Sequence, residues 1–148
     1  MGADVEVKTD SVVVRESRLR GISADLADCI DLLPAVAVLC ALAEGRSEIS
    51  GIGRARLKES DRVAAVSEGL RRMGIEVAAE ADRITITGAT PRGAVIASRG
   101  DHRIAMAFSI LGAIVGDTVI EDAECVAKTY PNFWEILASI GGEVKMYG

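Results

Sequence analysis

Charged side chains gather at four places along the 148-residue chain, each just ahead of a stretch with helical patterning. Asp31 precedes an apolar run with Pro34 in its opening turn, and Lys58-Glu59-Ser60-Asp61-Arg62 opens an amphipathic one. Asp101-His102-Arg103 opens a second apolar run, and Lys128-Thr129 lies ahead of the last helical stretch. Acids at a helix start need no function, because Asp31, Asp61 and Asp101 can cap exposed N–H groups and favour the helix dipole. Cations are the anomaly. Lys58, Arg62, Arg103 and Lys128 sit near positive helix ends, which is unfavourable unless an anion, or a local acid such as Glu59 or Asp61, neutralises them. Four such cations beside helix N-termini predict an edge that binds phosphate and carboxylate groups.

Composition narrows the field. Apolar residues make up 49% of the chain but aromatics only 3%, so Ala, Val, Ile and Leu must fill one substantial core. The net charge of −5, with Lys and Arg dispersed among acids, disfavours nucleic acid. Cys29, Cys40 and Cys125 lie in apolar stretches without CxxC spacing and read as buried free thiols. Together with the single His102 they do not make a zinc site. The longest apolar runs, residues 32–43 and 104–115, are too short to cross a bilayer, and no signal peptide is visible. Gly51-Ile52-Gly53 lacks the third glycine of a dinucleotide fingerprint, with Arg56 in its place. Ser60 and Ser109 lack a base, so a Ser-His-Asp hydrolase is unsupported.

The elements that must position the charged residues are written twice. Met1-Gly2-Ala3-Asp4-Val5 recurs as Met73-Gly74-Ile75-Glu76-Val77 and again as Ile140-Gly141-Gly142-Glu143-Val144. Residues 5–14 hold two strand-like runs split by Lys8-Thr9-Asp10, and residues 77–87 repeat that plan around Ala81-Asp82. A short strand follows in each copy, at 21–26 and 94–98. Next comes an apolar helix, at 32–44 or 103–115, stopped by Gly45 or Gly116. A strand at 48–51 or 118–120 then leads to a second helix. The first such helix places Val63, Val66, Leu70 and Met73 on one face and stops at Gly74. Its counterpart opens with Pro131 in the first turn, turns Ile136, Leu137 and Ile140 inward, and stops at Gly141. Phe133 and Trp134 are expected in the core or at an interface. The fold class is therefore α/β with mixed sheets, in two units of roughly 1–74 and 75–148. Gly2 follows a single residue where a helix should have finished, so the chain reads as part of a longer protein. In repeated α/β units the helix starts share one end, which brings the four charged stretches to one edge.

These stretches carry a family resemblance. Lys58-Glu59-Ser60-Asp61-Arg62 resembles the Lys-Glu-Ser/Thr-Asp-Arg signature of the 5-enolpyruvylshikimate-3-phosphate synthase family. Asp101-His102-Arg103-Ile104-Ala105-Met106 is similar to its Asp-His-Arg-x-Ala-Met motif, and Lys128-Thr129-Tyr130-Pro131 to its Lys-Thr/Ser-Phe/Tyr-Pro segment. Asp31-Leu32-Leu33-Pro34, running ungapped to Ala43-Glu44-Gly45, resembles the stretch that bears the family's catalytic aspartate. The four motifs occur in order over essentially the whole chain. The resemblance implies the enolpyruvyl transferase fold, an inside-out α/β barrel of βαβαββ-type units, three to a domain, with two domains closing on substrate. It implies that this chain is part of the C-terminal domain, about two units, with the N-terminal domain absent.

The resemblance also implies an activity. The enolpyruvyl group of phosphoenolpyruvate would pass to the 5-hydroxyl of shikimate 3-phosphate with release of phosphate, a shikimate-pathway step in aromatic amino acid biosynthesis, in the cytoplasm and without metal or organic cofactor. By the same resemblance Asp31 is the base that also holds the shikimate hydroxyls, and Glu59 is the acid/base at C3 of phosphoenolpyruvate. Lys58 would contact shikimate 3-phosphate, Arg62, Arg103 and Lys128 would bind phosphoenolpyruvate, and His102 would order the region. Arg54 stands where some family members place an asparagine. The alternatives are UDP-N-acetylglucosamine enolpyruvyl transfer and a non-catalytic anion-binding module. One wall of a two-domain cleft would leave Arg62, Arg103 and Lys128 solvated and the chain inactive alone. It would also expose an apolar face, inviting self-association or disorder near residues 1–20.

Overall fold

A computed structural model describes residues 1–147. Its first element is an antiparallel hairpin, β1 (Asp4–Val7) and β2 (Val12–Arg15), with Val5 opposite Val14 and Val7 opposite Val12. Alternation along the strands puts these four valines on one face. Asp4, Glu6 and Arg15 share the other, where Arg15 reaches the two acids at 3.3 and 3.0 Å.

The next six elements are β3 (Ser23–Asp25), α1 (Leu33–Leu42), β4 (Arg46–Ser50), α2 (Arg62–Arg72), β5 (Glu76–Ala79) and β6 (Arg83–Thr87). Their strands form one sheet in the order β3-β4-β6-β5, with β3 parallel to β4 and the other pairs antiparallel. This is one complete βαβαββ unit, and its strands come from both sequence copies. A second unit begins with β7 (Val95–Ala97), α3 (His102–Val115), β8 (Val119–Glu121) and α4 (Phe133–Ser139), β7 and β8 forming a parallel pair. The repeat holds in hydrogen-bond register. Shifted by 72 residues (Val5 to Val77), the β1–β2 pairs become the β5–β6 pairs, Val77 opposite Ile86 and Ala79 opposite Ile84.

Helices α1, α2 and α3 pack with the four-stranded sheet around Leu33, Ile49, Leu70, Ile84, Ile104 and Phe108, all fully buried. Gly69 lets α2 approach α3, since a Cβ there would stand 2.5 Å from the Phe108 ring. A smaller cluster of Ala105, Val126, Phe133 and Leu137, with Trp134 against it, seats α4. Phe133 and Trp134 thus lie in a core, as expected. No helix among the described residues is long and apolar enough to cross a membrane.

Several local expectations are corrected. Helix α1 ends at Leu42 and Ala43 is already extended, so Gly45, at φ 87°, shapes the turn into β4 and does not stop the helix. Pro131 lies ahead of α4, whose N-cap is Asn132. Leu137 is buried, but Ile136 and Ile140 face solvent, because no strand among the described residues covers that side of α4. Cys40 is buried, Cys125 half-buried and Cys29 exposed in the turn before α1. Residues 58–61 precede α2, and Arg62 is its first helical residue.

The join between β6 and α1 offers a direct test of this packing. A Cβ on Gly88 would fall 1.8 Å from the Ala43 carbonyl oxygen, a backbone atom that cannot swing aside. Gly88→Ala is expected to cost roughly 1–3 kcal/mol, as overpacking does elsewhere. An unchanged urea midpoint would show that the contact is looser than described.

Candidate active site

Parallel strands that feed helices leave the helix starts at the carboxyl ends of the strands, the usual ligand edge of an α/β sheet. Asp31 sits there in a 3-10 turn (Ile30–Leu32) that leads into α1. Lys58 and Glu59 follow the turn Gly53–Leu57, and Asp61 caps α2 by accepting from the Ala64 N–H at 2.9 Å. Asp101 caps α3, accepting from the Arg103 N–H at 3.0 Å, and Lys128 ends the turn Ala123–Lys128.

Arg62 joins these stretches. It is fully buried, and its guanidinium donates in three directions: Nε to Asp101 at 2.8 Å, Nη1 to Asp31 at 2.6 Å and Nη2 to Glu59 at 2.5 Å. Nη2 also points to the second Asp101 oxygen at 3.4 Å, so Asp101 takes the guanidinium in two-pronged fashion. Ser60 donates its hydroxyl to Asp101 at 3.0 Å. Asp101 is as deeply buried as Arg62, whereas Asp31 and Glu59 keep an outer side in water.

Three further cations ring this outer side. Lys58 Nζ lies 3.2 Å from Asp31, an Arg103 guanidinium nitrogen 3.5 Å from its other oxygen, and Lys128 Nζ 3.9 Å from Glu59. His102 is buried at the start of α3, and its Nδ1 has no hydrogen-bond partner among the described residues. The charges reshape the acids. The Lys58 hydrogen bond, with help from Arg62 and Arg103, holds the Asp31 carboxyl below the ordinary value of 3.8. Glu59 is held down by its own backbone N–H and by Arg62 and Lys128. Burial pushes Asp101 up, but the Arg62 hydrogen bond and charge outweigh it, and the carboxyl ends below its ordinary value.

Of the seven residues expected at the site, Asp31, Lys58, Glu59, Arg62, Arg103 and Lys128 converge, and His102 lies buried at the start of α3 between Asp101 and Arg103 without a bond to the cluster. Arg62 is not solvated as expected; the chain's own acids enclose it. Sequence reasoning missed Asp101 as the inner partner of Arg62, because a cap role already accounted for an acid before a helix. It missed Ser60 by weighing that residue only as a nucleophile. The signal available was the pair of helix-start acids placed to receive one buried arginine. Arg54 reaches back to the Ala27 carbonyl, and Arg56 pairs with Asp61 at 3.1 Å, so neither joins the cluster.

The site can be set beside known proteins. Residues 1–137 match the family described as EPSP synthase (3-phosphoshikimate 1-carboxyvinyltransferase). The chain is 57% identical over 144 residues to a 3-phosphoshikimate 1-carboxyvinyltransferase of Dehalococcoides mccartyi, covering 97% of this chain and 34% of the relative. It is 46% identical over 143 residues to the Methanopyrus kandleri protein of the same name, covering 95% and 33%. The chain thus spans about a third of the length of these relatives. Among solved structures, an EPSP synthase from Acinetobacter baumannii superposes with a TM-score of 0.90 at 31% identity, over 99% of this chain and 38% of that one. The enolpyruvyl transferase NikO from Streptomyces tendae superposes at 0.79 with 22% identity, over 98% and 34%, which shows the shared fold.

The depressed carboxylates set a pH dependence. Each is more acidic folded than unfolded, so its contribution to stability is complete above the ordinary values, 3.8 for Asp and 4.5 for Glu, and is lost as pH falls through the folded values. Denaturation midpoints are expected to hold from neutrality to about pH 5 and to drop below that. Asp101→Asn, which leaves Arg62 short of its inner charge, is expected to cost about 3–5 kcal/mol at pH 7 and to flatten the acid limb. Wild-type stability that does not change down to pH 3 would contradict the ion-pair account.

Proposed function

The chain belongs to the EPSP synthase family, and on that premise we propose that it forms one wall of an active site for enolpyruvyl transfer from phosphoenolpyruvate to shikimate 3-phosphate. The observation that carries this reading is the Arg62 hub, which gathers two partly exposed acids and three further cations at one edge. The wall corresponds to part of the C-terminal domain, roughly two units, with a second domain supplying the other wall.

In the proposed reaction the 5-hydroxyl of shikimate 3-phosphate gives its proton to Asp31 as its oxygen bonds to C2 of phosphoenolpyruvate, while Glu59, entering the step in its protonated form, gives its proton to C3. The tetrahedral adduct then returns a C3 proton to Glu59, the C2–C3 double bond re-forms, and phosphate leaves with the electron pair of its C–O bond and takes up the proton held by Asp31. Lys58 faces the hydroxyl-bearing substrate beside Asp31, and Arg103 and Lys128 face the carboxylate and phosphate. Arg62 reaches an anion by exchanging its bond to Asp31 or Glu59 for a ligand oxygen. Losing that bond raises the displaced carboxylate toward its ordinary pKa and makes it a stronger base. His102, buried as the first residue of α3, would order that helix start.

Two measurements test this. Chemical shifts should move at Asp31, Lys58, Glu59, Arg103 and Lys128 on adding shikimate 3-phosphate or phosphoenolpyruvate, and stay put with UDP-N-acetylglucosamine. Arg103→Lys should weaken phosphoenolpyruvate binding about tenfold, since an ammonium lacks the two-pronged fork. Preference for the UDP-sugar would move the chain to another branch of the fold.

The chain alone is expected to turn over neither substrate, because closing a cleft to exclude water needs both walls. Mixing it with the separately expressed remainder of a relative tests recovery, and robust turnover by the chain alone would refute the one-wall reading.

A further inference from the structure

The two units leave their parallel strand pairs by the same bend. Gly51 follows β4 and Asp122 follows β8, equivalent positions under a shift of 71 residues (Ile49 to Ile120). Both take left-handed backbone, at φ 71° and 52°. Glycine adopts that conformation freely, whereas a Cβ makes it costly, for Asp less than for most residues. The Asp122 side chain makes no capping bond to the turn that it opens, so the hold comes from outside that residue.

Ser98 supplies it. This residue directly follows β7 and stands beside Asp122, because Ala97 pairs with Glu121. It is fully buried, and its hydroxyl donates to the Asp122 carbonyl at 3.3 Å and accepts the Gly100 N–H at 3.2 Å. Cys125 Sγ, inside the turn that Asp122 opens, lies 3.7 Å from the same oxygen. Ser98 is itself tied to the site. Its carbonyl accepts the Asp101 N–H at 3.1 Å, and the neighbouring Arg99 reaches Glu68 on α2. In the first unit the equivalent of Ser98 is Leu26, a buried apolar residue beside Gly51, where the bend needs no hold. The hydroxyl thus appears in the unit whose bend carries a side chain.

We propose that Ser98 is a positioning residue for Lys128: by keeping Asp122 left-handed it sets the course of the turn Ala123–Lys128 and holds the Lys128 ammonium beside Glu59. That turn leaves β8 in the direction that Asp122 dictates and ends with Nζ 3.9 Å from the Glu59 carboxylate. Relaxation of Asp122 to an ordinary negative φ swings the turn, and Lys128 with it, away from the edge. Strained backbone of this kind persists where surrounding bonds over-determine it, and it gathers at functional sites. Lys128 as an anion ligand rests on the function proposed above, whereas the link from Ser98 to Lys128 does not.

Nuclear magnetic resonance of the whole chain tests the link without ligand. A strong cross-peak between a residue's own amide and Hα protons marks positive φ. At Asp122 it should be strong in the wild type and weak in Ser98→Ala. The Glu59 carboxyl, which faces Arg62, Asp101 and Lys128, should titrate higher in that variant, because Lys128 no longer helps to hold it down. Adding Asp122→Gly, which copies the first unit, should restore the Glu59 titration. Phosphoenolpyruvate binding is the second arm. Ser98→Ala and Lys128→Met should each weaken it about threefold, the scale of one exposed ion pair, and together no more than either alone. Asp122→Gly should rescue Ser98→Ala but not Lys128→Met. A wild type that binds no phosphoenolpyruvate refutes the anion-site reading alone, while the ligand-free arm still confirms or overturns the link. An unchanged Asp122 cross-peak or Glu59 titration in Ser98→Ala, or additive losses of binding, would overturn the proposal.

Discussion

A guanidinium withdrawn from water must have its donors met by acids, and the fold around Arg62 is arranged to meet them. Its partners come from the starts of three helices: Asp31 before α1, Glu59 before α2 itself and Asp101 at the cap of α3. These starts can share one edge only because β3 and β4, and again β7 and β8, run parallel and each strand hands over to its helix at the same end. Close packing of α2 on α3, allowed by Gly69 under the Phe108 ring, sets the distance between Arg62 and Asp101. The apolar core and the ion cluster thus fix the same three helices from opposite ends.

The cluster also sorts its acids by depth. Asp101 is sealed behind Arg62, with Ser60 and the Arg103 N–H satisfying its remaining lone pairs, which makes it a positioning group. Asp31 and Glu59 face outward beneath Lys58, Arg103 and Lys128. Four cations against three acids leave the edge with a positive excess, although the chain as a whole is at −5. Such a local excess attracts anions whatever the net charge.

Much of this was legible in the sequence because it is local. Helix starts carry charged clusters, glycines at 74, 116 and 141 take positive φ at helix ends, and the tripled Gly-containing landmark marks the repeat. What failed was burial set by distant strands. Ile136 and Ile140 have the same helical spacing as residues on α2 that are buried, but β5 covers α2 and, among the described residues, no strand covers α4 in the same way. Cys29 lies in an apolar stretch yet sits on a turn at the surface. Arg62 was the largest misreading. An arginine at a helix start looks solvated until its three acids, 31 residues before, 3 before and 39 after, are known to meet there.

The repeat offers an internal control on why that arginine is there. Arg62 opens α2 and Phe133 opens α4, and the 71-residue shift that relates β4 to β8 also relates these two positions. Both side chains turn inward at the first helical residue. Phe133 fills its site with Ala105, Val126 and Leu137, and needs no charge to do so. The frame can therefore close over an apolar group at this position. Buried ion clusters are often no more stabilising than apolar residues of similar volume. Stability alone thus gives no reason to place a guanidinium and three carboxylates at the start of α2. A group that must hold two acids in register beside an anion site does give one. The two units share a scaffold and differ in what they place at this position, an ion cluster in one and an apolar cluster in the other.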